Sequence, residues 1–295
     1  MKIKKIRIPV FDIIAVPILI LLCFVTIYPF MYCLAYSLSD SVQAMIHNIT
    51  VFPVGFTMGH YNVVFHNPRI LSSFFITLNR TLLGILYAVC VTGLAAYSLS
   101  KPLLPFNRAI SLLLIIPMYI SGGLIPYYVL IVQLGLINNF WVYVLPHGFA
   151  AFNMLIMRTY FQTIPASLEE SAKLDGAGDL VILVRIIAPL TMPIVATIAM
   201  FVGVFHWNSW FDGMIYTTKP ELKPLQTLLQ QLLLDAYGSA TNDMKAMAYL
   251  SLNQKSSPES LKMATVMVTV LPIVMIYPFF QRYFVKGIMI GAIKA

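Results

Sequence analysis

ESAKLDGAGDLVILVRIIAPLTMP, residues 170–193, is a polar stretch set between apolar segments on both sides. Its approach suits the start of a helix. Pro165 stands where a first helical turn loses nothing by a missing N–H. Glu169 and Glu170 follow, where carboxylates complement the positive end of the helix. Asp175-Gly176-Ala177-Gly178 then interrupts the run, because glycine supplies backbone conformations that other residues resist. A second helical run, 180–187, leads to Pro189 and Pro193 and into the next apolar segment. The spacing predicts a helix–turn–helix elbow at a membrane surface. Ser171, Ala172, Gly176 and Ala177 give it a face of small residues that a partner can grip.

The flanks fix the class. Of 295 residues, 59% are hydrophobic and 10% charged, and the mean hydropathy is +0.83. Soluble domains carry roughly 25% charged residues, so the composition predicts an all-α polytopic membrane protein and excludes a globular enzyme with a large aqueous surface. The net charge of +8 fits basic residues in short cytoplasmic loops better than nucleic-acid binding. Cys23, Cys33 and Cys90 all fall in apolar segments, with no CxxC pair and no zinc spacing. The opening MKIKKIRIP precedes an apolar run without an A-x-A cleavage pattern, which reads as a retained first helix.

A helix needs about 20 mostly apolar residues to cross a bilayer. Six candidates meet this: 13–36, 74–99, 106–132, 140–160, 191–210 and 263–284. They predict a single transmembrane domain over 1–295, with 13–36 as a peripheral span and a core of 74–284. Lys2, Lys4, Lys5, Arg7, Lys101, Arg108, Arg158, Lys173, Arg185, Arg282, Lys286 and Lys294 fall on one side. Arg69, Arg80, Lys219, Lys223, Lys245, Lys255 and Lys262 fall on the other, largely in two long loops that also carry acids. The asymmetry places both termini and the elbow, 163–190, in the cytoplasm, and the loop 211–262 outside. Within it, residues 226–253, rich in Leu and Gln, are expected to hold short helices. Pro117, Gly122, Gly123, Pro126, Pro146 and Gly148 break the third and fourth segments. Such breaks line a wet path or serve close helix packing.

The elbow resembles the EAA loop of ABC-importer permeases. That pattern is Glu-Ala-Ala, three residues, Gly, nine residues, Ile, any residue, Leu-Pro. Glu170-Ser171-Ala172, Gly176, Ile186 and Ala188-Pro189 keep both spacings, with Ser171 and Ala188 as the two departures. Leu174-Asp175-Gly176-Ala177 looks like the form found in carbohydrate permeases, and so does the tail, Gln281 to Lys286 and then Gly291-Ala292-Ile293-Lys294. Ala295 stands where that family usually has Gly. The chain resembles carbohydrate-importer permeases of the MalG-like branch, most closely the LplC and YtcP group of Gram-positive bacteria. The resemblance implies the type I ABC importer fold and the cell membrane. It implies four partners: a second, LplB-like permease subunit, a cytosolic ABC ATPase dimer, an extracellular solute-binding lipoprotein and membrane lipid. Glu169, Glu170, Ala172, Asp175 and Gly176 would then couple the permease to its ATPase. No cofactor is expected in this chain, with ATP and Mg bound by the ATPase subunits.

The stretch His206-Trp207-Asn208-Ser209-Trp210-Phe211-Asp212 resembles the Trp-Asn region of carbohydrate permeases. Aromatic faces beside an amide and a carboxylate suit a sugar, whose C–H face stacks and whose hydroxyls take hydrogen bonds. An interfacial aromatic belt explains the two Trp equally well, but not Asn208 and Asp212. Trp207, Asn208, Trp210 and Asp212 are the candidate substrate path, with Asn153 in the fourth segment beside His147. Asn153 also suits a bond from helix to helix. Arg80, next to Asn79, is expected to snorkel to the outer surface. No GxxxxGK[ST], HExxH or GxSxG is present, so no catalytic or metal-ligating residue is assigned and the chain is not expected to be an enzyme. Two other classes remain: an importer for a peptide or another small solute, and an intramembrane enzyme, against which the missing motifs argue.

Overall fold

The computed structural model describes residues 10–120, 122–237 and 257–292. The described elements are helical, with one isolated antiparallel bridge between Ser39 and Phe56. Lys2, Lys4, Lys5, Arg7, Lys245, Lys255 and Lys294 lie outside the described residues, and so do the side chains of Gln281 to Lys286.

The helices run α1 (Val10–Ser37), α2 (Ser41–Ile46), α3 (Gly59–His66) and α4 (Pro68–Ser100), then α5 (Asn107–Ile115) and α6 (Leu124–Gln133). After 3-10 turns at Phe140–Tyr143 and Leu145–His147 come α7 (Ala151–Phe161), α8 (Ala166–Leu174) and α9 (Asp179–Ile182). A π turn, Leu183–Ile187, joins α9 to α10 (Ala188–Leu190). The chain continues through α11 (Met192–Asn208), α12 (Phe211–Ile215), α13 (Leu225–Tyr237) and α14 (Pro258–Ala292).

α1, α4, α11 with α12, and α14 are long and apolar enough to cross a membrane. Phe140–His147 and Ala151–Phe161 together are also apolar and long enough, but they are bent by 48° into a broken span or a re-entrant loop. The count of six spans read from the sequence is thus not exactly reproduced, and the departures fall in the third and fourth segments, where the sequence carries its proline and glycine breaks. The expected third span, 106–132, is two short apolar helices. Pro117 turns the end of α5 into a 3-10 turn, and Gly123, at φ +83°, starts α6 in a backbone region that side chains avoid. The π turn has a similar origin. Pro189 cannot donate to the ladder, and the residues before it take up the slack in wider turns.

The chain divides into two compact units. The first holds α1–α3 and the start of α14. Asp40 caps α2 by accepting the N–H groups of Val42 (3.0 Å) and Gln43 (3.2 Å). Tyr36 Oη donates to Glu259 (3.0 Å), and the Ser257 N–H donates to Ser41 Oγ (2.8 Å). These bonds tie the end of α1 to the start of α14. The apolar length of α1 is otherwise exposed.

The second unit, residues 69–230 with the end of α14, carries the elbow. α4 buries one stripe at helical spacing: Thr77, Arg80, Gly84, Ala88, Thr92 and Ala96. Its small residues let neighbours approach, and a Cβ on Gly84 would collide with the His206 ring of α11. The core joins Ala88 and Ala96 to Met154 and Met157 of α7 and to Ile194 and Ile198 of α11. Ala172, Ile182 and Ile187 of the elbow belong to the same core.

Candidate functional site

The elbow closes on itself by backbone chemistry. The Ala177 N–H donates to the Ala172 carbonyl (2.9 Å) and the Gly176 N–H to the Lys173 carbonyl (3.0 Å). This pair of bonds is a Schellman closure, which needs a left-handed residue after the helix. Gly176 supplies it at φ +81°. A Cβ there would meet nothing within 4 Å, so torsion and not crowding demands the glycine. Ala172 and Ala177, the two ends of the closure, both rest against the core.

The rest of the elbow faces outward. Glu170, Asp175 and Gly176 are exposed and Ala172 is buried. Leu174 is 90% exposed and Leu180 65%. Glu169 pairs with Lys101, whose ammonium also lies 4.0 Å from the Tyr97 ring centroid. Lys173 and Asp179 pair across the turn at 3.1 Å. The hydrogen bond that Lys173 donates to Asp179 holds the Lys173 pKa above its ordinary value, so the lysine is charged at neutral pH and loses that pairing only at strongly alkaline pH. Both groups are exposed, and such pairs stabilise little. A helical corner thus presents carboxylates and bare leucines while its inner alanines are rooted in the bundle.

The predicted substrate path divides. Trp207 is buried, edge-on to Phe74 with ring centroids 6.1 Å apart. Asn208 is exposed, donating to the Val204 carbonyl (2.9 Å) and accepting from Gln226 (3.3 Å). Trp210 is partly exposed and packs edge-on to Phe211. Asn153 is half-buried on α7.

Asp212 has partners that the sequence did not suggest. Arg80 does not snorkel: it is fully buried, and its guanidinium donates to Asp212 Oδ2 (3.1 Å) and to the Ser209 carbonyl (3.1 Å). The guanidinium carbon stands 4.5 Å from the Tyr143 ring centroid. A carboxylate, a carbonyl and an aromatic face together replace the water that a snorkelling side chain would seek. Ser209 Oγ (2.9 Å) and His147 Nε2 (3.3 Å) reach the same Asp212 oxygen. His147 was placed only as a neighbour of Asn153. The available signal was two lone opposite charges bordering apolar segments, which favour pairing inside a membrane.

A cavity of about 470 Å³ opens beside this cluster. Its wall includes Asp212, the aromatic rings of Tyr127, Phe211 and Tyr216, and the glycine break at Gly122 and Gly123. Tyr216 is held in place by Tyr127 and Tyr128, with ring centroids 6.3 and 6.0 Å away.

The chain is similar to known proteins over nearly its whole length. The chain is 31% identical over 284 residues to the polygalacturonan/rhamnogalacturonan transport system permease protein YtcP of Bacillus subtilis, covering 96% of this chain and 98% of that protein. It is 34% identical over 270 residues to protein LplC of the same organism, covering 92% and 90%. The resemblance to the LplC and YtcP group therefore holds. A crystal structure of a bacterial ABC transporter involved in the import of the acidic polysaccharide alginate contains a similar chain, with TM-score 0.86, 29% identity and coverage of 96% and 100%. Residues 53–290, which include the elbow, the broken helices and the Asp212 cluster, match the family described as the binding-protein-dependent transport system inner membrane component, and the chain belongs to that family.

Proposed function

We propose that this chain is a permease subunit of an ATP-binding-cassette importer that moves an oligosaccharide across the cytoplasmic membrane by alternating access. It pairs with a second permease subunit. An extracellular solute-binding lipoprotein delivers the sugar, and a cytosolic ATPase dimer binds ATP and Mg and supplies the energy. The whole chain acts as one transmembrane domain with both termini and the elbow in the cytoplasm. Membrane lipid and the second permease cover the exposed length of α1. The substrate class follows from the relatives, whose names carry polygalacturonan, rhamnogalacturonan and alginate.

The observation that carries the reading is the elbow. Its carboxylates Glu170 and Asp175 and its leucines Leu174 and Leu180 face outward, while Ala172 is packed into the same core as α4, α7 and α11. A push on such a corner reaches the bundle without first being absorbed by a loop. Nucleotide biases the switch only through different affinities for its two states. The test is ATP-dependent uptake of labelled oligosaccharides into proteoliposomes that hold both permeases and the ATPases, with loaded binding protein added. Uptake that needs ATP and binding protein is expected. Uptake of peptides in place of sugars, or none with a complete complex, would overturn the assignment.

A further inference from the structure

The cavity beside Asp212 permits a sharper statement about the cargo, resting on the importer reading above. Its wall carries aromatic rings and one charged side chain, and that side chain is an acid. No lysine, arginine or histidine lines it among the described residues. Arg80, the arginine that pairs with this acid, is fully buried and bonded to Asp212 Oδ2 and the Ser209 carbonyl. Three donor groups crowd that one oxygen of Asp212. The other oxygen, Oδ1, is left to the cavity as an acceptor.

We propose that this cavity is a glycosyl subsite built for an uncharged sugar unit and selective against a uronate. Phe211 and Tyr127, each more than one-third exposed, cover the C–H face of a pyranose ring. Asp212 Oδ1 accepts from the ring hydroxyls, which are donors. A uronate carboxylate in the same place is an acceptor with a negative charge. It would meet the Asp212 carboxylate at close range, while the compensating Arg80 guanidinium is fully buried and bound to the other oxygen, Oδ2, so it cannot bond the uronate directly. Cargo of the kind named for the relatives, polygalacturonan and alginate, is therefore disfavoured at this position, and a neutral glycosyl unit is preferred. The selection comes from the permease itself and is separate from that of the binding protein.

The test is alkylation protection in the assembled complex. Leu130, on the cavity wall, is replaced by Leu130→Cys in a background where Cys23, Cys33 and Cys90 are serine. The purified complex is treated with a maleimide in the presence of cellopentaose, arabinopentaose or pentagalacturonate, without binding protein. At least one neutral sugar should slow the reaction, at a concentration about tenfold or more below that needed for the uronate, the ratio that one close like-charge contact produces. Adding a cation with Leu124→Arg should bring the uronate's protection up to that of the neutral sugar. Phe211→Ala should weaken protection by the neutral sugar. Equal or stronger protection by pentagalacturonate without the added arginine, or no protection by either neutral sugar, would overturn the proposal. Uptake by vesicles holding the same complex, supplied with loaded binding protein, reports on the importer function separately. Active uptake without selective protection sinks the subsite alone, whereas absent uptake counts against the importer.

Discussion

At Gly176 a backbone angle governs the consequence of a mutation. Its φ of +81° closes the elbow helix, and a left-handed conformation costs an L-residue about 1–2 kcal/mol. Gly176→Val should therefore reshape the corner without disturbing the core, since a Cβ finds open space there. Glu170 is exposed, so Glu170→Lys has no internal partner to disrupt and acts only on whatever docks outside. Both variants should insert and assemble with the second permease. They should lose either the ATPase in pull-down or its stimulation by loaded binding protein; normal recruitment with normal stimulation in both would remove the elbow from the coupling path. Arg80 and Asp212 call for the opposite expectation. Removing one partner of a buried pair typically costs about 3–5 kcal/mol, so Arg80→Met should lower the thermal midpoint of the purified complex sharply. Arg80→Met with Asp212→Leu should recover part of the loss, because no charge is then stranded; a double variant no better than the worse single one would show that the pair is not the reason. The elbow was legible because every residue that shapes it lies within a few turns of sequence. The Arg80–Asp212 pair was not, because its members are 132 residues apart and only the fold brings them together.

Among the elements, punctuation was easier to read than its effect. Pro117, Gly122, Gly123 and Pro146 stand out in the sequence, yet hydropathy alone still joined 106–132 and 140–160 into whole spans. Hydropathy measures whether a segment tolerates lipid, not whether its hydrogen-bond ladder is continuous. The structure breaks both segments at those residues, and a break opens the wall of the Asp212 cavity at Gly122 and Gly123. The cavity itself could not be read in advance, since α6, α12 and the Tyr216 turn meet there from separate parts of the chain. Polar staples compensate for interrupted ladders. Arg158 of α7 donates to Ser111 (2.9 Å) and Asn107 (3.2 Å) of α5, and Asn107 donates to the carbonyls of Leu99 (3.0 Å) and Lys101 (2.9 Å). These bonds tie the end of α4, the start of α5 and α7 into one corner next to the elbow. Hydrogen bonds to a charged group contribute roughly 1.5–3 kcal/mol each. Arg158→Ala should accordingly loosen the 101–107 turn and the start of α5, read as faster tryptic cleavage at Arg108 in inverted vesicles, since Pro102 blocks cleavage at Lys101. Cleavage at the parent rate would mean that the turn is held by its apolar contacts alone.

At the scale of the whole molecule, the open quantity is orientation. Lys101, Arg108, Arg158, Lys173 and Arg185 cluster around the elbow, and Lys219 and Lys223 lie in the turn between α12 and α13. α11 with α12 separates the two groups by one membrane crossing, so they must face opposite sides. Positive residues in short loops stay in the cytoplasm, so the expected orientation has the elbow inside and 219–223 outside. The inference is independent of the family, because it uses only charge and the count of crossings between the two groups. The broken elements do not weaken it, since α11 is continuous from Met192 to Asn208. Cysteine substitutions at Lys101, Lys173 and Lys219 in intact cells, with the three native cysteines replaced by serine, settle the question. An impermeant maleimide should label Lys219→Cys at once, and label Lys101→Cys and Lys173→Cys only after the membrane is permeabilised. If Lys173→Cys labels in intact cells, the elbow faces away from the ATPase, and the transport mechanism built on it fails whatever the sequence resemblance.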